Sequence, residues 1–263
     1  MDIHISLPAE TIVKIGPVPL TNSNLMMLVV MVGLILWFGL ALRKRALVPG
    51  GAQNLVEAII EWLWSLVEGA AGKRVGRRIF PLVATLFIFI IVANYAGLLP
   101  FVGTVGFHND QGEFIGFLRS PNADLNMTLA MALITFVVVQ ISGVAANGLG
   151  QYLKHLLTPI PLAPLHIVGE FARIISLSFR LFGNIFGGEV LMTVIYSLTY
   201  VVIPVIFWSL ELLFGFIQAM IFSMLTLAYI VLAVSAHEEH AEEEKGGIAA
   251  VAAEETGEHL VAG

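Results

Sequence analysis

The chain is 263 residues long, 58% hydrophobic and only 12% charged, with a formal net charge of −6 and a mean hydropathy of +0.90. Soluble globular domains carry about 45–50% apolar and about 25% charged residues, so this composition excludes a soluble domain and predicts a polytopic membrane protein. The absence of cysteine excludes disulfides, thiol chemistry and Cys-type zinc or iron–sulfur sites, and no basic patch interleaved with aromatics suggests nucleic acid.

Residues 1–23 lack a basic n-region and are interrupted by Pro8, Pro17 and Pro19, so they read as an extracytoplasmic N-terminus rather than a signal peptide. The first span covers residues 24–42, long enough for a hydrocarbon layer of roughly 30 Å. Arg43-Lys44-Arg45 ends it and places that end on the cytoplasmic side. In residues 53–68, Leu55, Val56, Ile59, Ile60, Leu63, Leu66 and Val67 recur at helical spacing with Glu57, Glu61 and Glu68 between them. This run is too short and too charged to span and predicts a cytoplasmic interfacial amphipathic helix. Lys73, Arg74, Arg77 and Arg78 then precede a second span, residues 80–99.

Residues 100–121 read as a polar external loop, and residues 124–149 as a third span returning to Lys154 and His155. Asp124 suits a helix start, where an acid favours the dipole. A fourth span, residues 165–200, and a fifth, residues 202–236, each exceed the roughly 20 residues an upright span needs, so both should be tilted. Residues 237–263 form an acidic tail expected to be mobile and cytoplasmic. Nine lysines and arginines fall inside on this scheme and two, Lys14 and Arg119, outside. That asymmetry supports an N-terminus outside and a C-terminus inside. The expected fold is an all-α polytopic membrane protein with five spans, the last two long and tilted, plus one interfacial amphipathic helix.

Arg180 lies deep in the fourth span. A guanidinium stays charged at physiological pH, and placing it near a bilayer centre costs roughly 2.5–3.5 kcal/mol on insertion scales. The last two spans also hold Glu170, Arg173, Asn184, Glu189, Glu211 and Gln218, with Tyr229 beyond. At 3.6 residues per turn Arg173, Arg180 and Asn184 share one face, as do Glu211, Gln218 and Tyr229. With the fourth span rising outward, Glu189 lies roughly 13 Å outside Arg180 and Glu170 about 15 Å inside it. If Gln218 sits at the depth of Arg180, Glu211 shares the depth of Glu189. Acid, arginine, acid along the membrane normal reads as two half-pathways for a cation, separated by a fixed positive charge. Arg173 is expected to pair with Glu170 at i,i+3. Gly183 and Gly187 form a small-xxx-small step that makes room for a neighbouring helix. Tyr229 suits an interface anchor as well as a pathway residue.

Ser178-Phe179-Arg180-Leu181-Phe182-Gly183-Asn184-Ile185-Phe186-Gly187-Gly188-Glu189 resembles the signature of subunit a of the F-type ATP synthase membrane sector. Gln218-Ala219-Met220-Ile221-Phe222 with Tyr229 is similar to its last helix, and Ser120-Pro121-Asn122-Ala123-Asp124-Leu125-Asn126 to the segment before its third span. The resemblance implies a stator that is not catalytic by itself. It would form two offset half-channels against a ring of proteolipid c subunits and couple proton translocation to rotation for ATP synthesis. It implies peripheral-stalk b subunits as partners, membrane lipid around the chain and an indirect link to the F1 sector; the lack of targeting signals favours a bacterial plasma membrane.

Arg180 then resembles the arginine facing the ring carboxylates, with Asn184 and Gln218 as polar neighbours. Glu189 resembles the acid of the outer half-channel, and Glu211 falls where some members carry histidine. The acid before the arginine often lies about one turn earlier than Glu170, where this chain has His166. No cofactor or metal is implied: His237-Glu238-Glu239-His240 is not a His-Glu-x-x-His site, since Ala241 follows. A small-anion transporter clamping substrate with Arg180 would favour internal repeats, which are not visible, and no Gly-x-Ser-x-Gly or His-Glu-x-x-His motif supports an intramembrane hydrolase.

Overall fold

The computed structural model describes residues 9–15, 18–43, 50–100, 102–108, 114–150, 163–199 and 202–261; for residues 236–261, and for isolated positions such as His166, only the backbone is described. The described residues form five long helices: α1 (Asn22–Ala41), α2 (Gly51–Gly97), α3 (Leu125–Asn147), α4 (Ala163–Leu198) and α5 (Val202–Val261). All five are long and apolar enough to cross a membrane, so the chain is a helical multi-pass membrane protein. Two short antiparallel hairpins are added to that frame: β1 (Thr11–Ile15) with β2 (Val18–Thr21), and β3 (Gly106–His108) with β4 (Phe114–Gly116). The first lies in a stretch rich in Thr, Val and Ile, which suit extended backbone, and Asn22 Nδ2, at the start of α1, donates to the carbonyl of Gly116 in the second hairpin at 3.4 Å.

Side chains at helix starts fix two of the boundaries. Thr21 accepts from the backbone N–H of Asn24 at 3.2 Å and starts α1 two residues before the hydropathy pattern does. Asp124 accepts from the backbone N–H of Asn126 at 2.9 Å and starts α3. These oxygens satisfy N–H groups that the first turn leaves unpaired.

The expectation of a helix at residues 53–68, separate from a span at 80–99, meets two helical limbs that run closer together along the chain than expected. The chain is helical from Gly51 to Gly97, broken only at Gly72, whose φ of 69° and ψ of 167° lie in a region essentially restricted to glycine. There the chain doubles back. Trp64 meets Phe80 with ring centroids 5.3 Å apart, and Trp62 meets Phe87 at 5.6 Å. The basic cluster Lys73–Arg78 therefore forms the first turns of the second limb. The buried face of the first limb, Val56, Leu63 and Val67, packs into the bundle. The last helix also departs from expectation. Its backbone stays helical past Ala236 to Val261, where hydropathy has fallen but Ala, Glu and Lys keep helix propensity high.

The core lies between α2, α3, α4 and α5, around Leu63, Phe87, Ile90, Leu177, Leu181, Ile185 and Phe222. Lipid is as apolar as these side chains, so close packing and interhelical hydrogen bonds hold the helices together more than apolar burial does. Such bonds link three of the inner pairs. Thr128 and Ser178 join α3 to α4 at 3.1 Å, and Thr135 and Thr226 join α3 to α5 at 3.4 Å. Asn94 Nδ2 of α2 donates to the carbonyl of Gly215 in α5 at 3.0 Å, and its Oδ1 accepts from Asn122 Nδ2 at 2.7 Å.

Asn94 thus joins three segments through one buried amide. Replacing it by leucine leaves the Asn122 amide and the Gly215 carbonyl without these partners, at about 1–3 kcal/mol per stranded group. Asn94→Leu is expected to lower the thermal unfolding midpoint of the detergent-solubilised protein by several degrees. Gly33→Ala, a helical position with open space where the methyl would go, is expected to leave it unchanged.

Candidate functional site

The site is built on the facing sides of α4 and α5, and two contacts set their antiparallel register. At one end Arg173 Cζ stands 4.4 Å above the ring of Tyr229. At the other, the Glu211 carboxyl occupies the space where a side chain on Gly188 would be. Fifteen residues of α4 therefore match eighteen of α5, and Gln218, seven residues from Glu211, comes level with about Phe182. That is between Arg180 and Asn184. The depth relation that the sequence could only pose as a condition follows from these two contacts.

At the Tyr229 end, Glu170 Oε1 pairs with Arg173 Nη1 at 2.9 Å, the expected i,i+3 pair, and Glu170 Oε2 accepts from Gln140 Nε2 of α3 at 3.2 Å. Glu170, Arg173, Tyr229 and Thr135 line a cavity of about 10 Å³, room for roughly one water. The His166 side chain, the alternative inner acid position, lies outside the described residues.

In the middle, Arg180 is exposed on the outer side of α4, with no hydrogen bond or ion pair among the described residues. Gly183 and Gly187 lie on the same exposed side, and each has open space where a side chain would be. Asn184 is half-buried. Gln218 is 7% exposed, and its Nε2 donor has no hydrogen-bond partner. The exposed Arg180 guanidinium, with no acceptor among the described residues, is open to an anion supplied from outside the chain.

At the far end Glu189 and Glu211 come together across Gly188, and a third group joins them. Arg119 is 8% exposed. Its Nε lies 3.2 and 3.1 Å from the two Glu189 oxygens, and its Nη2 lies 3.0 Å from one of them. Sequence reading counted Arg119 only as an external-loop cation. Its one signal was position, immediately before the Ser120–Asn126 segment. Asn94, Asn122 and Gln140 were also missed, as neutral amides in or beside spans with no charge to flag them. Among the described residues no cluster of His, Asp or Glu is placed to hold a metal. The side chains of His237 and His240 lie outside the described residues.

A sequence profile of the ATP synthase A chain family matches residues 24–231. The chain belongs to that family. ATP synthase subunit a of Moorella thermoacetica is 36% identical over 231 residues, covering 88% of this chain and 98% of that protein. The Desulforamulus reducens protein of the same name is 37% identical over 222 residues (80% and 79%), and that of Campylobacter jejuni 38% over 207 residues (76% and 84%). As a member of the ATP synthase A chain family, the chain is a proton-translocating membrane subunit of the ATP synthase complex and not a catalytic subunit by itself. The profile spans every residue from Glu170 to Tyr229 and ends before the tail at 237–263.

Gly188 is where the fold makes room for an acid. A valine there would displace the Glu211 carboxyl, and Gly188→Val is expected to lower ATP-driven proton pumping in inverted vesicles at least five-fold at unchanged content of assembled complex. Gly39→Ala, in α1 with open space around it, is expected to pump normally.

Proposed function

We propose that the chain is the stator subunit a of an F-type ATP synthase, forming two offset half-channels against a ring of c subunits and coupling proton passage to rotation. The observation that carries this reading is an exposed Arg180 with no partner among the described residues, set between carboxylates at the two ends of α4 and α5. Glu189 and Glu211 line the outer path. Glu170, beside Arg173, Gln140 and Tyr229, lines the inner one. Asn184 and Gln218 flank the arginine at its own level.

A proton entering past Glu189 and Glu211 neutralises a carboxylate on the ring. The neutral carboxyl tolerates lipid, where an ionised one does not, so the ring turns. At the inner path the carboxyl releases its proton and is drawn to Arg180. The guanidinium does not release a proton at physiological pH, so it blocks direct passage between the paths while holding the ionised site. A membrane potential supplies about 2.3 kcal/mol per charge per 100 mV. Lysine is a poorer choice at this position, because it loses its proton more readily when buried and lacks the planar fork.

The clusters Arg43 and Lys73–Arg78 favour a cytoplasmic C-terminus and an outer N-terminus, and the bacterial relatives favour a bacterial plasma membrane. Peripheral-stalk b subunits and, indirectly, the F1 sector complete the set of partners.

Arg180→Ala is expected to abolish ATP-driven pumping in inverted vesicles with the complex assembled, and Arg180→Lys to leave less than a tenth. Retained pumping in the assembled alanine variant would refute the reading. Replacing Glu189 and Glu211 together by glutamine is expected to cut proton flux at least ten-fold; near-normal flux would remove them from the pathway.

A further inference from the structure

The two acids of the outer path are not equivalent. Both Glu189 oxygens face the Arg119 guanidinium. The Glu211 side chain has no hydrogen bond or ion pair among the described residues and rests against Gly188. We propose that Arg119 is a positioning residue for translocation: it fixes Glu189 as an oriented, ion-paired carboxylate and leaves Glu211 as the acid free to take and pass a proton. The proposal rests on the outer-path reading above and divides the labour within that path.

Three features make Arg119 suited to this. Its guanidinium is buried, and a buried cation needs a partner that is itself held in place. Glu189 is that partner, with 38% of its side chain exposed, so the acid reaches open space while the cation does not. A planar guanidinium grips a carboxylate in a defined orientation as well as attracting it. The same guanidinium stands 5.7 Å from the ring centre of Phe186, one turn from Glu189 on α4, an arrangement that favours a cation over an aromatic face.

The cation is also carried on a rigid mount. Ser120 packs so closely on Gly97 that a side chain there would collide with it, and Asn122 is bonded to Asn94 in α2. The residues on the C-terminal side of Arg119 are therefore clamped to α2. Arg119 reaches from that clamp to α4, so the position of Glu189 is referenced to the bundle and not only to its own helix.

The test is a double-mutant cycle in the intact complex, with ATP-driven pumping in inverted vesicles normalised to assembled enzyme. Arg119→Gln and Glu189→Gln are each expected to lower pumping about ten-fold. If Arg119 acts through Glu189, the double variant falls about ten-fold as well; independent effects would multiply to about a hundred-fold. Arg119→Lys keeps the charge and loses the fork. It is expected to fall two- to five-fold, and to cause no further loss when Glu189→Gln is already present. This second cycle decides the matter even if Arg119→Gln fails to assemble. Wild-type pumping in Arg119→Gln, or multiplicative loss in either cycle, would overturn the proposal. Glu211→Gln tests the underlying reading separately. A ten-fold or greater loss upholds the outer path whatever the Arg119 variants do, whereas wild-type pumping there removes the path on which the proposal stands.

Discussion

A guanidinium inside an apolar bundle must be met by an anion, by hydrogen-bond acceptors or by water, and the arrangement of α4 follows from how its arginines meet that demand. Arg173 is answered within the chain, by Glu170 and by the face of Tyr229. Arg119, reaching α4 from the segment before α3, is answered by Glu189 and Phe186. Arg180, between the two, has no such answer among the described residues and lies on the exposed side. Two satisfied cations at the ends and one unsatisfied cation in the middle is not what a purely structural set of arginines would leave. The chain's own carboxylates are already engaged or held at the ends, so the anion that meets Arg180 belongs elsewhere. This is the physical content of the proposed a–c contact, and it explains why small residues, Gly183 and Gly187, share that side of the helix: a partner helix can come close enough for its carboxylate to reach the guanidinium.

Much of this was legible in the sequence, for a definite reason. A charge in an apolar stretch is costly, so Arg180, Glu189 and Glu211 announce themselves by residue type alone, and the span lengths follow from hydropathy. The depth relation between Gln218 and Arg180 needed one distance that a sequence does not contain, and the Gly188–Glu211 and Arg173–Tyr229 contacts supply it. Other features were hidden because their signals mimic something ordinary. Arg119 reads as a loop cation, since topology rules count external charges without asking where they point. The two limbs of α2 read as two elements, but their tight turn did not show, since one glycine in a rare backbone conformation is enough to turn the chain without breaking its helicity for more than a residue. The two β hairpins lie in short segments outside the spans that a search for long apolar runs passes over, and the helical backbone to Val261 follows composition that a hydropathy scale reads only as an end.

Three glycines explain how so many polar groups are held in position where lipid offers no hydrophobic force between helices. At Gly97 the neighbour filling the missing side chain is Ser120, at Gly215 it is Asn94, and at Gly188 it is Glu211. In each case a polar side chain from another segment lies against bare backbone. At Gly97 and Gly215 the close approach secures the mount: α2 to the turn that carries Arg119, and α2 to α5 through the Asn94 bond. At Gly188 it sets the acid itself beside Glu189. The outer end of the site is therefore located by backbone-to-side-chain contacts with little freedom to slide, whereas the Arg180 level is left open. Rigidity where protons would be handed on, and exposure where a moving partner would pass, come from where this sequence puts glycine and where it puts charge.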